Sequence, residues 1–125
     1  MVCMSKSAPN SAPADSDVFT ALDAALAKRR MSDPAHSYTA SLYAGGVAAI
    51  SEKIDEEAAE VIEAARGDDD SHVVHEVADL WFHCMVLLQS RGLDSTAVRD
   101  ELARRFGVSG HEEKAARGGH GGDNA

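Results

Sequence analysis

The run VAAISEKIDEEAAEVIEAAR, Val47 to Arg66, is where the sequence speaks most clearly. Its apolar positions Ile50, Ile54, Ala58, Val61, Ile62 and Ala65 recur at steps of three and four, the spacing that lays one stripe along an α-helix. Gly67 follows at once and ends the helix. Acidic residues fill the remaining faces, so the segment reads as amphipathic and must pack its stripe against something else.

Working downstream, Asp68-Asp69-Asp70 forms a loop, and Asp70 or Ser71 is expected to cap a third helix running to about Ser90, closed by Arg91 and Gly92. That helix carries Val73, Val74, Leu80, Trp81, Phe82, Cys84, Met85, Val86, Leu87 and Leu88 nearly all the way round, which requires burial on several sides. A small domain cannot supply so many sides alone, so a second copy is expected to complete the bundle as a homodimer. A last helix starts at Asp94 as N-cap, with Leu93 stapled on Val98, and runs to about Phe106.

Upstream, Gly45-Gly46 offers a hinge or sharp change of direction. Ser37 to Tyr43 before it reads as a short helical turn or a loop. A first helix from about Asp17 to Arg30, capped by Ser16, places Val18, Leu22, Ala25, Leu26 and Arg29 at helical spacing and is broken by Ser32-Asp33-Pro34. Residues 1–15 and 118–125 hold too few large apolar groups to offset the entropy of ordering and are expected to be disordered tails around one domain, 16–117. The fold class is therefore all-α, a bundle of about four to five helices completed by dimerisation.

Composition agrees and also excludes. The 125 residues are 44% hydrophobic but only 5% aromatic, which suits helices packed through Ala, Val, Ile and Leu. A formal net charge of −9 disfavours a nucleic-acid partner, because phosphate-backbone binding depends on a basic face. Cys3 and Cys84 lack the spacing of a structural zinc site and read as free thiols. No stretch is long enough to span a membrane, and the N-terminal residues lack the apolar core of a secretory signal, so a cytoplasmic protein is expected.

Glu57 and Glu60 are three apart on the second helix, with Glu56 beside them, and Glu76 and Asp79 are three apart on the third. Like charges meeting across two helices repel, and a hard divalent cation with oxygen ligands removes that repulsion. Carboxylate pairs on helices are also common as solvated faces, the better reading for Glu52, Asp55 and Glu63, and spacing alone leaves both readings open. Glu76 and Asp79 favour the metal, since they sit in the most apolar helix of the chain. Zinc would call for Cys or His donors, and no Glu-x-x-His of the di-iron bundles occurs, which leaves magnesium, with manganese as a substitute. His72, His75 and His83 are assigned packing, capping or surface roles.

Beyond spacing, Lys53-Ile54-Asp55-Glu56-Glu57-Ala58-Ala59-Glu60 and Glu76-Val77-Ala78-Asp79-Leu80 resemble the paired acidic signature of the all-α nucleotide pyrophosphohydrolases, the MazG-like superfamily. Ser37-Tyr38-Thr39-Ala40-Ser41-Leu42 before them, and Arg104-Arg105-Phe106-Gly107-Val108-Ser109-Gly110 with Glu113-Lys114 and Arg117 after them, resemble more narrowly the phosphoribosyl-ATP pyrophosphatase family. The resemblance covers roughly Val18 to Arg117. Two positions depart from it: Asp55 stands where relatives usually have glycine, and Trp81-Phe82 where a Leu-Tyr pair is common.

The resemblance implies magnesium-dependent hydrolysis of the α–β anhydride of phosphoribosyl-ATP to phosphoribosyl-AMP and pyrophosphate, the second step of histidine biosynthesis, by a helical dimer. It implies metal ligands at Glu57, Glu60, Glu76 and Asp79. Glu56 is the candidate general base, with Glu57 or Glu60 able to serve instead. Lys53, Arg104, Arg105, Lys114 and Arg117 are candidate clamps for substrate phosphates, and Ser109-Gly110 candidate amide donors. Some relatives are fused to a cyclohydrolase that performs the following step; this chain has neither the length nor the cysteines and is expected to be monofunctional. A house-cleaning nucleoside triphosphate pyrophosphohydrolase and a non-enzymatic helical dimerisation module are the rival readings.

Overall fold

The computed structural model describes residues Asp17 to Phe106, so the expected tails, and with them Ser109, Gly110, Lys114 and Arg117, lie outside the described residues. The described residues form four helices and no strand: α1 (Val18–Arg29), α2 (Tyr38–Ala65), α3 (Asp70–Ser90) and α4 (Ser95–Arg105). The all-α expectation holds. The chain divides between Ser95 and Thr96 into two compact units, and each is treated by itself.

In the first unit α2 and α3 make the principal packing, a helical hairpin closed by the short turn 66–69, and α1 packs on both. Leu26, Leu42, Ile50, Phe82, Met85 and Val86 form the buried core, flanked by Phe19, Leu22, Tyr38, Tyr43, Ile54 and Leu87. Tyr43 donates from its hydroxyl to the Leu26 carbonyl at 3.0 Å, and Arg30 donates to the Gln89 carbonyl at 2.8 Å. These bonds fasten α1 to both long helices.

Helix starts fall close to, but not on, the expected residues. Asp17, not Ser16, caps α1 by accepting from the Phe19 amide at 2.8 Å. Asp69 caps α3, accepting from the amides of Ser71 at 3.0 Å and His72 at 3.4 Å, one position before the expected cap. A run of three aspartates offers several equivalent caps, and only geometry chooses among them. At its far end α3 closes as expected: Gly92 takes φ 78°, its amide bonds the Gln89 carbonyl at 2.9 Å and the Leu93 amide bonds that of Leu88 at 2.8 Å.

The Ser37–Tyr43 segment is the first part of α2, capped by the Ser37 side chain on the Ala40 amide at 3.1 Å. Gly46 breaks the helix into two limbs with φ 78° and ψ −169°, a backbone conformation essentially confined to glycine. A side chain at Gly45 would put its Cβ 2.7 Å from that of Ala49, so the first limb also needs a small residue at the bend. The kink turns Tyr38 back toward α3.

Beyond the kink the buried positions of α2 are Ile50, Glu57 and Ala64, a line seven residues apart, while Ile62 and Ala65 from the expected stripe are exposed. On α3 the buried line is Glu76, Asp79, His83 and Val86, with Val74 and Trp81 turned outward. Polar groups thus occupy positions that ordinarily hold core side chains, and apolar ones face away from the chain. In the second unit α4 carries its own surface network, Glu101 accepting from Arg104 and Arg105.

Candidate metal centre

The inverted faces of α2 and α3 meet. Lys53, Glu56, Glu57 and Glu60 share one face of α2 because they are three or four apart, and His75, Glu76 and Asp79 share one face of α3. With Tyr38 they line a cavity of about 310 Å³. Glu57, Glu76 and Asp79 are 4%, 8% and 7% exposed, so these carboxylates belong to the interior.

One oxygen from each of these three residues lies within 4.8 Å of the other two. Ligand oxygens around a hard cation, at about 2.1–2.5 Å from it, stand ~3–5 Å from one another. Glu57 Oε1 and Glu76 Oε1 are buried without a hydrogen-bond partner. Leaving a charged acceptor so costs several kcal/mol, on the order expected for an uncompensated buried ion. The donor set, all carboxylate oxygen, suits magnesium or manganese better than a thiolate- or imidazole-seeking metal.

The electrostatics agree with the geometry. Burial pushes the Glu57 carboxyl above its usual range, and the Glu60, Asp79 and Glu76 carboxylates push it further. Glu60 is exposed and lies outside the tight group of three; its carboxyl is also raised, first by its hydrogen-bonding approach to the Glu76 side chain and then by desolvation and the Glu76, Asp79 and Glu56 carboxylates. Glu56 is exposed and holds Lys53, Nζ to Oε1 at 3.1 Å, which raises the lysine. Of the cavity's residues only Lys53 carries a full positive charge, and Glu56 already engages it.

Three histidines assigned no metal role stand around this group. His72 Nε2 lies 3.3 Å from Glu76 Oε2 and His75 Nε2 lies 3.5 Å from Asp79 Oδ2, each one helical turn earlier. That spacing was readable in the sequence. His83 is wholly buried, with Nδ1 2.8 Å from the Asp79 carbonyl oxygen and Nε2 2.8 Å from the Tyr38 hydroxyl; burial lowers its pKa. Nothing in local spacing announces that long-range pair. Arg104 and Arg105 lie on α4, both on Glu101.

Residues 19–106 match the family model described as phosphoribosyl-ATP pyrophosphohydrolase, which covers the three carboxylates and most of the described chain. The chain belongs to that family. Among its relatives is the phosphoribosyl-ATP pyrophosphatase of Azoarcus sp., 52% identical over 103 residues that span 82% of this chain and 96% of that one. That of Methylococcus capsulatus is 50% identical over 101 residues, 81% of this chain and 96% of the other. The protein of the same name from Hydrogenovibrio crunogenus is 47% identical over 105 residues, 81% and 93%. Among the described residues no helix is long and apolar enough to cross a membrane.

Proposed function

We propose that this hydrolase cleaves the α–β anhydride of phosphoribosyl-ATP, releasing phosphoribosyl-AMP and pyrophosphate in the second step of histidine biosynthesis. The observation that carries the mechanism is that Glu57 and Glu76, each with a buried Oε1 that has no hydrogen-bond partner, belong with Asp79 to a group whose carboxylates come within 4.8 Å of one another. Glu57, Glu76 and Asp79 would hold magnesium, with exposed Glu60 as the fourth carboxylate. The chemistry supplied by the bound ion is charge neutralisation on the phosphate oxygens as the anhydride opens.

Water adds to a phosphorus of the anhydride, the bridging P–O bond breaks, and pyrophosphate departs. Glu56 takes the water's proton on Oε2, since Lys53 holds Oε1 at 3.1 Å. Glu57 and Glu60 are the carboxylates able to take over that task. Lys53 stands at the cavity wall as a contact for a substrate phosphate, and Arg104, Arg105, Lys114, Arg117 and Ser109-Gly110 are further candidates for phosphate binding in a domain proposed to span 16–117.

A homodimer is part of this reading. Trp81, 54% exposed and packed on Phe19 at 5.7 Å between ring centroids, joins Val74 and Ile62 as large apolar groups turned outward from the carboxylate helices. A second copy covering them would bury what this chain leaves exposed. Light scattering should give a dimer for the wild type and a monomer for Trp81→Glu. A soluble nucleotide substrate supports a cytoplasmic location.

The decisive assay is pyrophosphate release from phosphoribosyl-ATP with and without magnesium, beside ATP and dCTP. Release that needs magnesium and prefers phosphoribosyl-ATP supports the proposal. Equal turnover of all three would make this a general nucleotide pyrophosphatase, and no release from any would remove the hydrolytic reading.

A further inference from the structure

α3 sets two imidazoles beside two buried carboxylates. His72, His75, Glu76 and Asp79 lie at steps of three and four and so share one face of the helix. His72 Nε2 stands 3.3 Å from Glu76 Oε2, and His75 Nε2 stands 3.5 Å from Asp79 Oδ2. The two pairs look alike in the sequence, yet His75 lines the carboxylate cavity and His72 does not.

A nitrogen–oxygen separation of 3.5 Å is longer than the ~2.7–3.2 Å of a good hydrogen bond. It does match two ligands of one ion, since bonds of about 2.0–2.2 Å to a shared metal leave the donor atoms roughly 3.0–3.5 Å apart. His75 stands beside the three residues whose oxygens come within 4.8 Å, not among them, so a turn of its ring is what brings it to an ion they hold. Its side chain is 60% exposed, and that turn disturbs little packing. Asp79 links the two sets: it is the neighbour of His75 and a member of the buried group, in which Glu57 Oε1 and Glu76 Oε1 have no hydrogen-bond partner.

Magnesium takes oxygen ligands and keeps its waters, whereas ions of the zinc class favour an imidazole. Resting on the proposed magnesium site, we infer that the cavity has a second mode of metal binding: an imidazole-seeking divalent ion, zinc or cobalt, is held by His75 with Asp79, Glu57 and Glu76. Such an ion occupies the oxygens that magnesium needs, so the two compete, and His75 sets how well the cavity holds the wrong one.

The test uses the full chain in mildly alkaline buffer, with Co2+ as the imidazole-seeking probe and Mg2+ as the hard one. Ring protons of a cobalt-bound imidazole appear far outside the normal proton NMR range, a readout that needs no substrate. Wild type and His72→Gln should show such signals, removed by excess Mg2+, and His75→Gln should lack them. Calorimetry should find Co2+ held about tenfold more weakly by His75→Gln, the low end of what a lost supporting group costs a metal site, with Mg2+ affinity within about twofold of wild type. A wild-type cobalt complex without Mg2+-displaceable imidazole signals overturns the inference, as do such signals surviving in His75→Gln. An equal loss of Mg2+ and Co2+ affinity in that variant also overturns it, because His75 would then merely support the carboxylates. Mg2+ binding and pyrophosphate release by wild type report separately on the proposed function, so the two can fail independently.

Discussion

Glu57, Glu76 and Asp79 are buried between α2 and α3, while Glu101 lies on α4, yet it is Glu101 that has the cations. Arg104 Nη2 and Arg105 Nε stand 2.7 and 2.9 Å from its Oε2, and these bonds hold its carboxyl down to about 2. Glu57 moves the other way, raised by burial and by three neighbouring carboxylates. On α4 the charge balances within two turns of one helix. Between α2 and α3 the lysine that lines the cavity, Lys53, is held by exposed Glu56, and among the described residues no arginine or lysine pairs with the three buried carboxylates, which is the physical difference between a surface network and a candidate site.

The strongest way to break this comparison is to remove charge from the buried group. Glu57→Gln or Asp79→Asn should lower pyrophosphate release roughly a thousandfold, several kcal/mol of charge stabilisation, while the metal-free protein melts no lower than wild type. A structural carboxylate would show the reverse: retained turnover and a lowered melting temperature. The next effect is magnesium itself. At a hundredfold excess over its Kd it should add about 2.7 kcal/mol, a rise of roughly 10–20 °C in Tm for a domain this small, and both variants should lose that rise in calorimetry.

A subtler contrast lies in pH. Glu57 binds its proton more tightly folded than unfolded, so from its usual 4.5 up to its raised value the folded chain carries more protons. Metal-free stability therefore falls as pH rises through that window. His83, lowered by burial from 6.5, gives the opposite slope below 6.5, so the difference between wild type and Glu57→Gln in urea titrations isolates the glutamate. A difference that does not change with pH would show that Glu57 is not strained by its neighbours. Smallest of all is Glu101→Gln. Its depressed pKa adds stability above 4.5 that is lost as pH falls toward 2, but on an exposed carboxylate solvent screens most of it, and Tm at neutral pH should be unchanged.

Much of this arrangement was legible before any coordinates. The three-residue spacings of Glu57 with Glu60 and of Glu76 with Asp79 placed the acids on single helix faces, and Gly45-Gly46, Gly67 and Gly92 marked the breaks. Less legible was which face turns inward. Periodicity groups residues but does not rank the groups, and counting apolar residues selected Ile62 and Ala65 where the fold buries Ala64 and Glu57. The place of Tyr38 stayed hidden for a related reason: its segment, short and polar before Gly45-Gly46, reads equally as a helical turn or a loop, and its partner His83 lies 45 residues away. Helix signals are local, whereas a hydrogen bond between helices depends on their mutual placement.

The break at Gly46 has one more consequence. In an unbroken helix each residue advances the side-chain direction by roughly 100°, so the bearing of Tyr38 would be locked to that of Glu57. With one residue outside helical torsions, the two bearings are set separately. The limb that carries Tyr38 to the cavity can then be aimed apart from the limb that carries Glu56, Glu57 and Glu60, through the one pair of backbone angles at Gly46.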